Sequence, residues 1–312
     1  MECASSRQRI SGVLFRDVSP RFAAEALSLE QRDEMPINQS LAEAQHKSYV
    51  SLITELVLLQ YSSPAPVIST VPAHPLLPDC NFIEDTLIVA PVAESGHDSM
   101  GSGFRGFLTR LGHTSRRGES SGVEEALRHT FPKLELVIQA SGHLDGGDVL
   151  TIPEKRVMIV GLSSRTDADG VSALSQAFSA TYTVCSVPVP KGLHLKSFMT
   201  CVDGSTLVVG NSAEFERVAC DLLCNCPLLS SMKILLLPSV RSSNVLQIGN
   251  YLLVRSLCDE SLGLLRKAFG EERCICAPDM SEFEKADGAF TCGCVLFYSV
   301  STQDSDAQSS LA

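Results

Sequence analysis

The chain has 312 residues and a formal net charge of −11, because 25 Lys and Arg stand against 36 Asp and Glu. A protein this acidic is repelled by phosphate backbones and anionic lipids, which excludes nucleic acid and membrane surfaces as default partners. Hydrophobic residues make up 44% of the sequence and charged residues 20%, which predicts a soluble, packed chain and excludes wholesale disorder. A small cationic molecule is the ligand that suits this charge.

Cysteine usage and the start of the chain indicate the compartment. The 12 cysteines lie more often inside apolar runs than in loops, as at Cys185, Cys201, Cys220, Cys224 and Cys294. This placement predicts reduced, mostly buried thiols in a cytosolic protein. No segment approaches the roughly 18 consecutive apolar residues of a membrane span, and the start lacks the apolar core of a signal peptide. We expect a cytoplasmic protein.

Taken in chain order, short apolar runs alternate with amphipathic stretches. They predict strands at residues 11–16, 67–70, 82–90, 134–140, 157–162, 207–210, 234–237, 246–248 and 251–254. A capping box at residues 40–43 predicts the start of a long helix, and further helices are predicted over residues 171–178, 213–223 and 261–269. Two or three short strands per helix are typical neither of a doubly wound sheet nor of an all-β protein. The pattern therefore indicates repeated strand–helix modules of the α/β class.

No linker divides the chain, which predicts one domain over residues 11–300. Residues 1–10 are expected to form a flexible N-terminus, and the Ser-, Gln- and Asp-rich residues 301–312 a disordered tail. Residues 92–118 are predicted to be a mobile loop insertion, because six glycines stand between positions 94 and 118. Such a loop is expected to border or cover a site.

Three carboxylates, Asp79, Glu84 and Asp85, stand at or just before the apolar run at residues 82–90. In an ideal strand, side-chain alternation puts Asp79 and Asp85 on one face and Glu84 on the other. Carboxylates beside an apolar run suit a bound cation, either a metal ion or a guanidinium group. A solvated turn explains the same residues, so both interpretations stay open.

Two further motifs are each explained without a function. Residues 144–150 read Leu-Asp-Gly-Gly-Asp-Val-Leu, and an Asp-Gly turn between strands accounts for them. Residues 192–197 read Gly-Leu-His-Leu-Lys-Ser, which places His194 in an alternating run typical of a strand. A histidine there is more often a hydrogen-bonded structural residue than a catalyst. Neither motif identifies a site by itself.

A fourth motif, at residues 287–296, surrounds Cys292 with glycines at the entrance to an apolar strand. An exposed nucleophile fits this position, and so do a Cys-x-Cys redox or metal pair and inert buried thiols. The Cys-x-Cys spacings at 224–226, 274–276 and 292–294 lack the paired Cys-x-x-Cys knuckles of a structural zinc site. Zinc-finger chemistry is therefore disfavoured.

The order of these motifs resembles the dimethylarginine dimethylaminohydrolase family. The similar segments are residues 82–85, 144–150, 192–197 and 281–292, together with 42–50, 115–117 and 161–166, and the similarity spans almost the whole chain. Arginine deiminases differ, because they usually have Arg-Asp where this chain has Glu84 and Asp85. The resemblance implies the pentein fold, a five-bladed α/β propeller of ββαβ modules around a central channel.

The resemblance also implies roles for particular residues. Cys292 is the expected nucleophile and His194 the general acid and base, with Asp145 orienting His194. Glu84 and Asp85 are expected to hold the guanidinium nitrogens. The other expected substrate contacts are Arg116 and Arg165 for the α-carboxylate, Asp79 with the backbone of Leu27 and Ala286 for the α-amino end, and Phe82, Ser197 and Asp287 along the walls.

The implied reaction is hydrolysis of asymmetric dimethylarginine and monomethylarginine to citrulline plus dimethylamine or methylamine, through a covalent thiouronium on Cys292. The expected partner is a small-molecule methylated arginine, and the chain is expected to be a monomer or a homodimer. No cofactor is expected to be required. A thiolate beside an imidazole can bind Zn²⁺, so zinc held by Cys292 and His194 is expected only as an inhibitor.

Three positions depart from the family pattern. Cys292 is followed by Gly293 and Cys294 rather than directly by a second cysteine, residues 92–109 look longer than usual, and Ala286 replaces a Val-like residue. Two other functions stay open: an arginine deiminase-like hydrolase on the same fold, and a catalytically silent family member that acts by binding. A Cys/His metal-binding protein is disfavoured by the cysteine spacing.

Overall fold

The computed structural model of the chain describes residues 8–28, 36–60, 65–92, 103–256 and 258–300. The helices in these ranges are α1 (Phe22–Glu25), α2 (Gln39–Leu58), α3 (Glu119–Thr130), α4 (Ala168–Phe178), α5 (Ala213–Asn225), α6 (Asp259–Phe269) and α7 (Ser281–Glu284). The strands are β1 (Gln8–Arg16), β2 (Val67–Val71), β3 (Leu87–Pro91), β4 (Phe104–Leu108), β5 (Glu135–Ile138), β6 (Val149–Ile152), β7 (Val157–Leu162), β8 (Thr183–Pro188), β9 (Met199–Val202), β10 (Thr206–Gly210), β11 (Lys233–Leu237), β12 (Leu246–Ile248), β13 (Tyr251–Val254), β14 (Cys274–Cys276) and β15 (Cys294–Val300). The α/β class expected from the sequence is confirmed.

The strands form five sheets of three, β15-β1-β2, β3-β4-β5, β6-β7-β8, β9-β10-β11 and β12-β13-β14. In each sheet the middle strand pairs antiparallel with one neighbour and parallel with the other. A helix of at least three turns, α2 to α6 in chain order, connects each parallel pair, as parallel strands require. Each sheet is thus one ββαβ module, and the five-bladed pentein architecture is confirmed.

A central channel lies where the first strands of the modules meet. A cavity of about 130 Å³ is lined by residues of β3, β6, β9, β12 and β15. These inner strands are mostly buried, as in β3 and β12, whereas the outer strands β5 and β11 are half-exposed. Glu84 and Lys196 also line this cavity, where Nζ of Lys196 lies 2.5 Å from Oε1 of Glu84.

A short 3-10 helix precedes each inner strand at the same end of the propeller. These five turns are Ile83–Thr86 before β3, Gly146–Asp148 before β6, Leu195–Ser197 before β9, Val240–Ser243 before β12 and Thr291–Gly293 before β15. Because the modules repeat around one axis, the fold brings turns from distant parts of the chain together.

The predicted mobile loop at residues 92–118 is wrong for residues 104–108. Phe104–Leu108 forms β4, the middle strand of its sheet, with most of its side chains buried. Gly106 allows the side chains of Leu134 and Leu136 to pack closely against the strand. A Cβ at this position would lie 3.0 Å from a side-chain atom of Leu134 and 3.1 Å from one of Leu136. The glycine here indicates close packing rather than mobility.

Other predicted boundaries change as well. Residues 8–10 belong to β1 rather than to a flexible terminus, while residues 1–7, 93–102 and 301–312 lie outside the described residues. Helix α2 begins after Asn38, whose side chain accepts a hydrogen bond from the backbone N of Leu41, so the predicted capping box at Ser40 is wrong. Helix α3 and the strands β6, β8, β9 and β14 were not predicted from the sequence.

The cysteines of the described residues are all free thiols. Most are buried or half-buried, as expected, but Cys220, Cys224 and Cys276 are exposed. Cys220 and Cys224 belong to α5, which buries a different set of its side chains. None of the helices in the described part of the chain is long and apolar enough to cross a membrane.

Candidate active site

One cavity of about 360 Å³ gathers most of the residues that the sequence singled out. Its predicted lining residues are Leu27, Asp79, Phe82, Asp85, Arg116, Arg165, His194, Ala286, Asp287 and Cys292. The lining residues that were not predicted are Ser28, Gly112, His113, Ser164, Leu193 and Gly288. A concave cavity with a few convergent polar groups is the default candidate for an active site.

Three predicted residues are not among those that line this cavity. Glu84 lines the central channel instead, as described above. Asp145 is fully buried beside His194, with its Oδ2 atom 3.1 Å from Nε2 of the imidazole. The Ser197 hydroxyl accepts a hydrogen bond from the backbone N of His194 at 3.2 Å. Asp145 and Ser197 therefore support His194 from outside the cavity lining.

Glu84 and Asp85 lie in the 3-10 helix Ile83–Thr86 rather than in a strand, which begins only at Leu87. The Thr86 hydroxyl donates to the carbonyl oxygen of Ile83 at 2.7 Å and helps close this turn. Successive residues of a 3-10 helix are about a third of a turn apart. Glu84 therefore reaches the channel while Asp85 reaches the cavity.

Asp85 lies between two cationic groups. Nη1 of Arg116 is 2.7 Å from its Oδ2 atom, and Nδ1 of His194 is 4.0 Å from its Oδ1 atom, which also accepts a hydrogen bond from the backbone N of Gly147 at 2.8 Å. Burial alone would raise the pKa of Asp85, but the charges of His194 and Arg116 lower it to about 2. The carboxylate is therefore ionised at neutral pH.

His194 immediately precedes the 3-10 helix Leu195–Ser197, so the predicted strand at this histidine is wrong. The carboxylate of Asp148 accepts a hydrogen bond from the backbone N of Leu195 at 2.8 Å and fixes the turn. Burial lowers the pKa of His194, but the carboxylates of Asp85, Asp148 and Asp145 raise it to about 9. The imidazole is protonated at neutral pH and can act as an acid.

Arg116 is held by carboxylates on both sides. Its Nε and Nη2 atoms donate to the two carboxylate oxygens of Glu119, at 3.0 and 2.9 Å, in addition to the contact with Asp85. Glu119 is the fully buried first residue of α3, and burial raises its pKa to about 7. Glu119 was not predicted from the sequence, although its spacing of three residues from Arg116 is typical of such a pair.

Arg165 is less tightly held than Arg116, whose side chain is 4% exposed. The Arg165 side chain is 11% exposed, and its Nη1 atom has no hydrogen-bond partner among the described residues. This atom lies 3.7 Å from Oδ2 of Asp145, which is too far for a hydrogen bond. The predicted contact with a substrate carboxylate therefore fits Arg165 better than Arg116.

Cys292 lies in the 3-10 helix Thr291–Gly293 and is half-buried. Burial raises the pKa of its thiol, and the carboxylates of Glu84 and Asp85 raise it further, while Lys196 acts in the opposite direction. The protein's own groups thus favour the thiol over the thiolate at neutral pH.

The residues expected around an α-amino group are also brought together. The carboxylate of Asp79 is buried and accepts a hydrogen bond from the backbone N of Leu27 at 2.9 Å. Asp287 has a φ of +58°, in the left-handed region, directly after the buried Ala286. Both segments line the cavity.

The donor atoms of Asp85, Asp145 and His194 lie within 4.8 Å of one another and could together hold a metal ion. The same atoms already form the charge-paired contacts described above. Cys292 is outside this group, so binding of zinc by Cys292 and His194 stays a prediction.

The sequence is similar to characterised families. The family model of arginine deiminase matches residues 108–217. A dimethylarginine dimethylaminohydrolase of Streptomyces coelicolor is 34% identical over 218 residues, which are 69% of this chain and 73% of the relative. One of Pseudomonas aeruginosa is 26% identical over 144 residues, which are 45% of this chain and 50% of that relative.

The fold is similar to solved structures. Dimethylarginine dimethylaminohydrolase from Pseudomonas aeruginosa, as a cysteine-to-serine mutant complexed with citrulline, matches with a TM-score of 0.72 at 20% identity, covering 93% of this chain and 100% of that one. The N-terminal domain of a cyanobacterial arginine dihydrolase bound to substrate matches with a TM-score of 0.70 at 16% identity, covering 91% and 97%. At these identities the similarity shows the fold.

Proposed function

Because the chain belongs to the dimethylarginine dimethylaminohydrolase family, and is therefore a hydrolase of amidino C–N bonds, we propose that it hydrolyses asymmetric dimethylarginine and monomethylarginine to citrulline. The observation that carries the proposal is the common cavity of Cys292, His194 and Asp85. It combines a nucleophile, a protonated acid and an ionised carboxylate, which are the groups that this reaction needs.

Substrate binding uses the charges of the cavity. Asp85, with Glu84 in the preceding position, attracts the guanidinium cation, and the Arg165 side chain, which lines the cavity, donates to the α-carboxylate. Asp79 attracts the α-ammonium group at the Leu27 end. A guanidinium group that lies between the carboxylates and Cys292 brings positive charge to the sulfur and lowers the pKa of the Cys292 thiol. The thiol then loses its proton to solvent, and the thiolate forms as substrate binds.

The reaction then proceeds in two halves. The Cys292 thiolate attacks the guanidinium carbon, and the tetrahedral intermediate collapses as His194 donates its proton to the departing dimethylamine or methylamine. A covalent thiouronium remains on the sulfur. Neutral His194 then takes a proton from water, and the resulting hydroxide attacks the same carbon. The C–S bond breaks to release the thiolate, and the added hydroxyl loses its proton to solvent as the carbonyl group of citrulline forms.

A second candidate, hydrolysis of unmethylated arginine with release of ammonia, is favoured by the match to the arginine deiminase model at residues 108–217. The two reactions differ only in the leaving amine, so the space beside that nitrogen decides between them. A catalytically silent binding protein is less consistent with the family, because Cys292, His194 and Asp145 are all present.

The test measures citrulline, dimethylamine and ammonia released from asymmetric dimethylarginine and from arginine. Wild type should release dimethylamine, and Cys292→Ser should not. Cys276→Ser, which removes an exposed thiol outside the cavity, is the matched control and should retain activity. Faster ammonia release from arginine would instead select the deiminase, and no turnover of either substrate would select the silent protein.

The proposed route requires no cofactor. Zn²⁺ bound by the Cys292 sulfur and the His194 imidazole would compete with substrate, so added zinc should inhibit and a chelator should restore activity. Chelation that abolished activity of the purified protein would contradict this part of the proposal.

A further inference from the structure

A buried asparagine joins the two turns that carry the proposed nucleophile and acid. Asn244 follows the 3-10 helix Val240–Ser243 and is 3% exposed. Its Nδ2 atom donates to the carbonyl oxygen of Lys196 at 3.0 Å and to the hydroxyl of Thr291 at 3.1 Å. Its Oδ1 atom accepts a hydrogen bond from the backbone N of Thr291 at 3.2 Å.

These partners lie next to the reactive residues. Lys196 is two residues after His194, inside the 3-10 helix before β9, and Thr291 immediately precedes Cys292 in the 3-10 helix before β15. Asn244 itself stands just before β12. One amide therefore connects the inner ends of three modules.

The partners also fix the orientation of the amide. A backbone N–H can only donate and a carbonyl oxygen can only accept, so Oδ1 must face Thr291 and Nδ2 must face Lys196. An aspartate has the same size but lacks the N–H group that donates to the carbonyl oxygen of Lys196. An alanine can neither donate to Lys196 nor accept from the backbone N of Thr291. The arrangement thus depends on an amide at this position.

The place of Asn244 in its module matches the places of the reactive residues in theirs. The turns before β3, β6, β9 and β15 contain or adjoin Glu84 and Asp85, Asp145, His194 and Cys292. The turn before β12 is the remaining one of the five, and Asn244 follows it directly. Its side chain points to the two neighbouring turns rather than lining the cavity.

We propose that Asn244 is a positioning residue, which holds the His194 turn and the Cys292 turn in the relative placement that proton transfer and attack require. This inference rests on the proposed function, because it assigns the chemistry to Cys292 and His194. Displacement of reacting groups by about 1 Å can cost on the order of 10²-fold in rate.

The test compares Asn244→Asp and Asn244→Ala with Gln247→Glu. Gln247 is a matched buried amide, three residues further along, whose Nε2 atom donates to Asp203 and Gly249 and whose Oε1 atom accepts from the backbone N of Asp203. The readouts are kcat, KM, the melting temperature, and the rate at which iodoacetamide alkylates Cys292, followed by mass spectrometry of its peptide.

Both Asn244 variants should lose kcat by on the order of 10²-fold with little change in KM, as expected when groups are misplaced but binding remains. In Asn244→Ala the alkylation of Cys292 should become faster, because the freed turn exposes the sulfur. Gln247→Glu should keep the wild-type kcat and alkylation rate, even if its melting temperature falls as far as those of the Asn244 variants.

Wild-type kcat in both Asn244 variants, or an equal loss of kcat in Gln247→Glu at a matched melting temperature, would overturn the inference. If wild type turns over no methylated arginine, the proposed function fails. The alkylation rate of Cys292 still tests whether Asn244 positions the Cys292 turn. Equal alkylation of Cys292 in wild type and Asn244→Ala would then show that Asn244 does not hold the turn.

Discussion

Asp145 holds His194 from a position that no solvent reaches. Its Oδ2 atom lies 3.1 Å from Nε2 of His194, and its Oδ1 atom accepts a hydrogen bond from the backbone N of Gly112 at 2.8 Å. A carboxylate fixed at both oxygens cannot rotate away from the imidazole. The contact therefore sets the orientation of the imidazole ring and contributes to the raised pKa of His194.

The pH dependence of turnover should report this contact. Asp145 is one of the carboxylates that raise the pKa of His194 to about 9 against the effect of burial. Since His194 must be protonated to act as an acid, wild-type kcat should fall as pH rises through about 9. Asp145→Asn removes one negative charge, so the pKa of His194 and the alkaline decline of kcat should both move to lower pH.

A kcat profile from pH ~6 to ~10 measures this shift. Asp167→Asn is the matched control, because Asp167 pairs with His143 at 2.8 Å outside the cavity, and its profile should follow wild type. If kcat declines at the same alkaline pH in wild type and in Asp145→Asn, a group other than His194 causes the decline.

Glu84→Gln should separate thiol reactivity from turnover. After burial, the charge of Glu84 is the largest effect that raises the pKa of the Cys292 thiol, and loss of this charge also leaves Lys196 free to stabilise a thiolate. Iodoacetamide should therefore alkylate Cys292 faster at neutral pH in Glu84→Gln than in wild type. Turnover should fall, because a carboxylate that attracts the guanidinium group is lost.

The control for this experiment is Glu154→Gln. It changes another carboxylate of the channel, whose charge is not among the main causes of the raised pKa of Cys292. An unchanged alkylation rate in Glu84→Gln would mean that burial alone sets the reactivity of the thiol.

Arg165→Leu should weaken substrate binding with little effect on chemistry. A hydrogen bond to a charged group contributes about 1.5–3 kcal/mol, so KM should rise by about 10- to 100-fold while kcat stays near wild type. A methylated guanidine without a carboxylate should be processed equally by wild type and variant. Arg117→Leu is the control, because Arg117 contacts His143 and is not among the lining residues. Equal losses with both substrates would contradict the assignment.

Local sequence patterns predicted those elements that local contacts determine. The helices α4, α5 and α6 and the strands β7, β10, β11 and β13 lie close to their predicted positions, since each carries its own apolar periodicity. Strand β4 was missed because its central glycine is explained only by side chains from residues 134 and 136, which reach it through a helical crossover. Such a contact leaves no periodic signal.

The candidate site divides in the same way. The resemblance supplied most of the lining residues and the supporting Asp145, but it did not supply Glu119, which holds Arg116, or Asn244, which holds Thr291. Asn244 meets Thr291 across 47 positions and Lys196 across 48, and Asp145 reaches His194 across 49. These distances along the chain correspond to about one module, so the pairs adjoin only after the propeller closes.

Two glycine substitutions should have opposite outcomes. A Cβ at Gly147 would lie 2.6 Å from Nδ1 of His194 and 2.9 Å from Oδ1 of Asp85, so Gly147→Ala should displace the acid and lower kcat by on the order of 10²-fold. Gly263 lies inside α6, where an added Cβ would meet nothing within 4 Å, so Gly263→Ala should leave kcat unchanged and raise the free energy of unfolding by about 0.5–1 kcal/mol. Urea denaturation and steady-state kinetics measure both effects. Full activity in Gly147→Ala would show that the close approach of this backbone to His194 is not required.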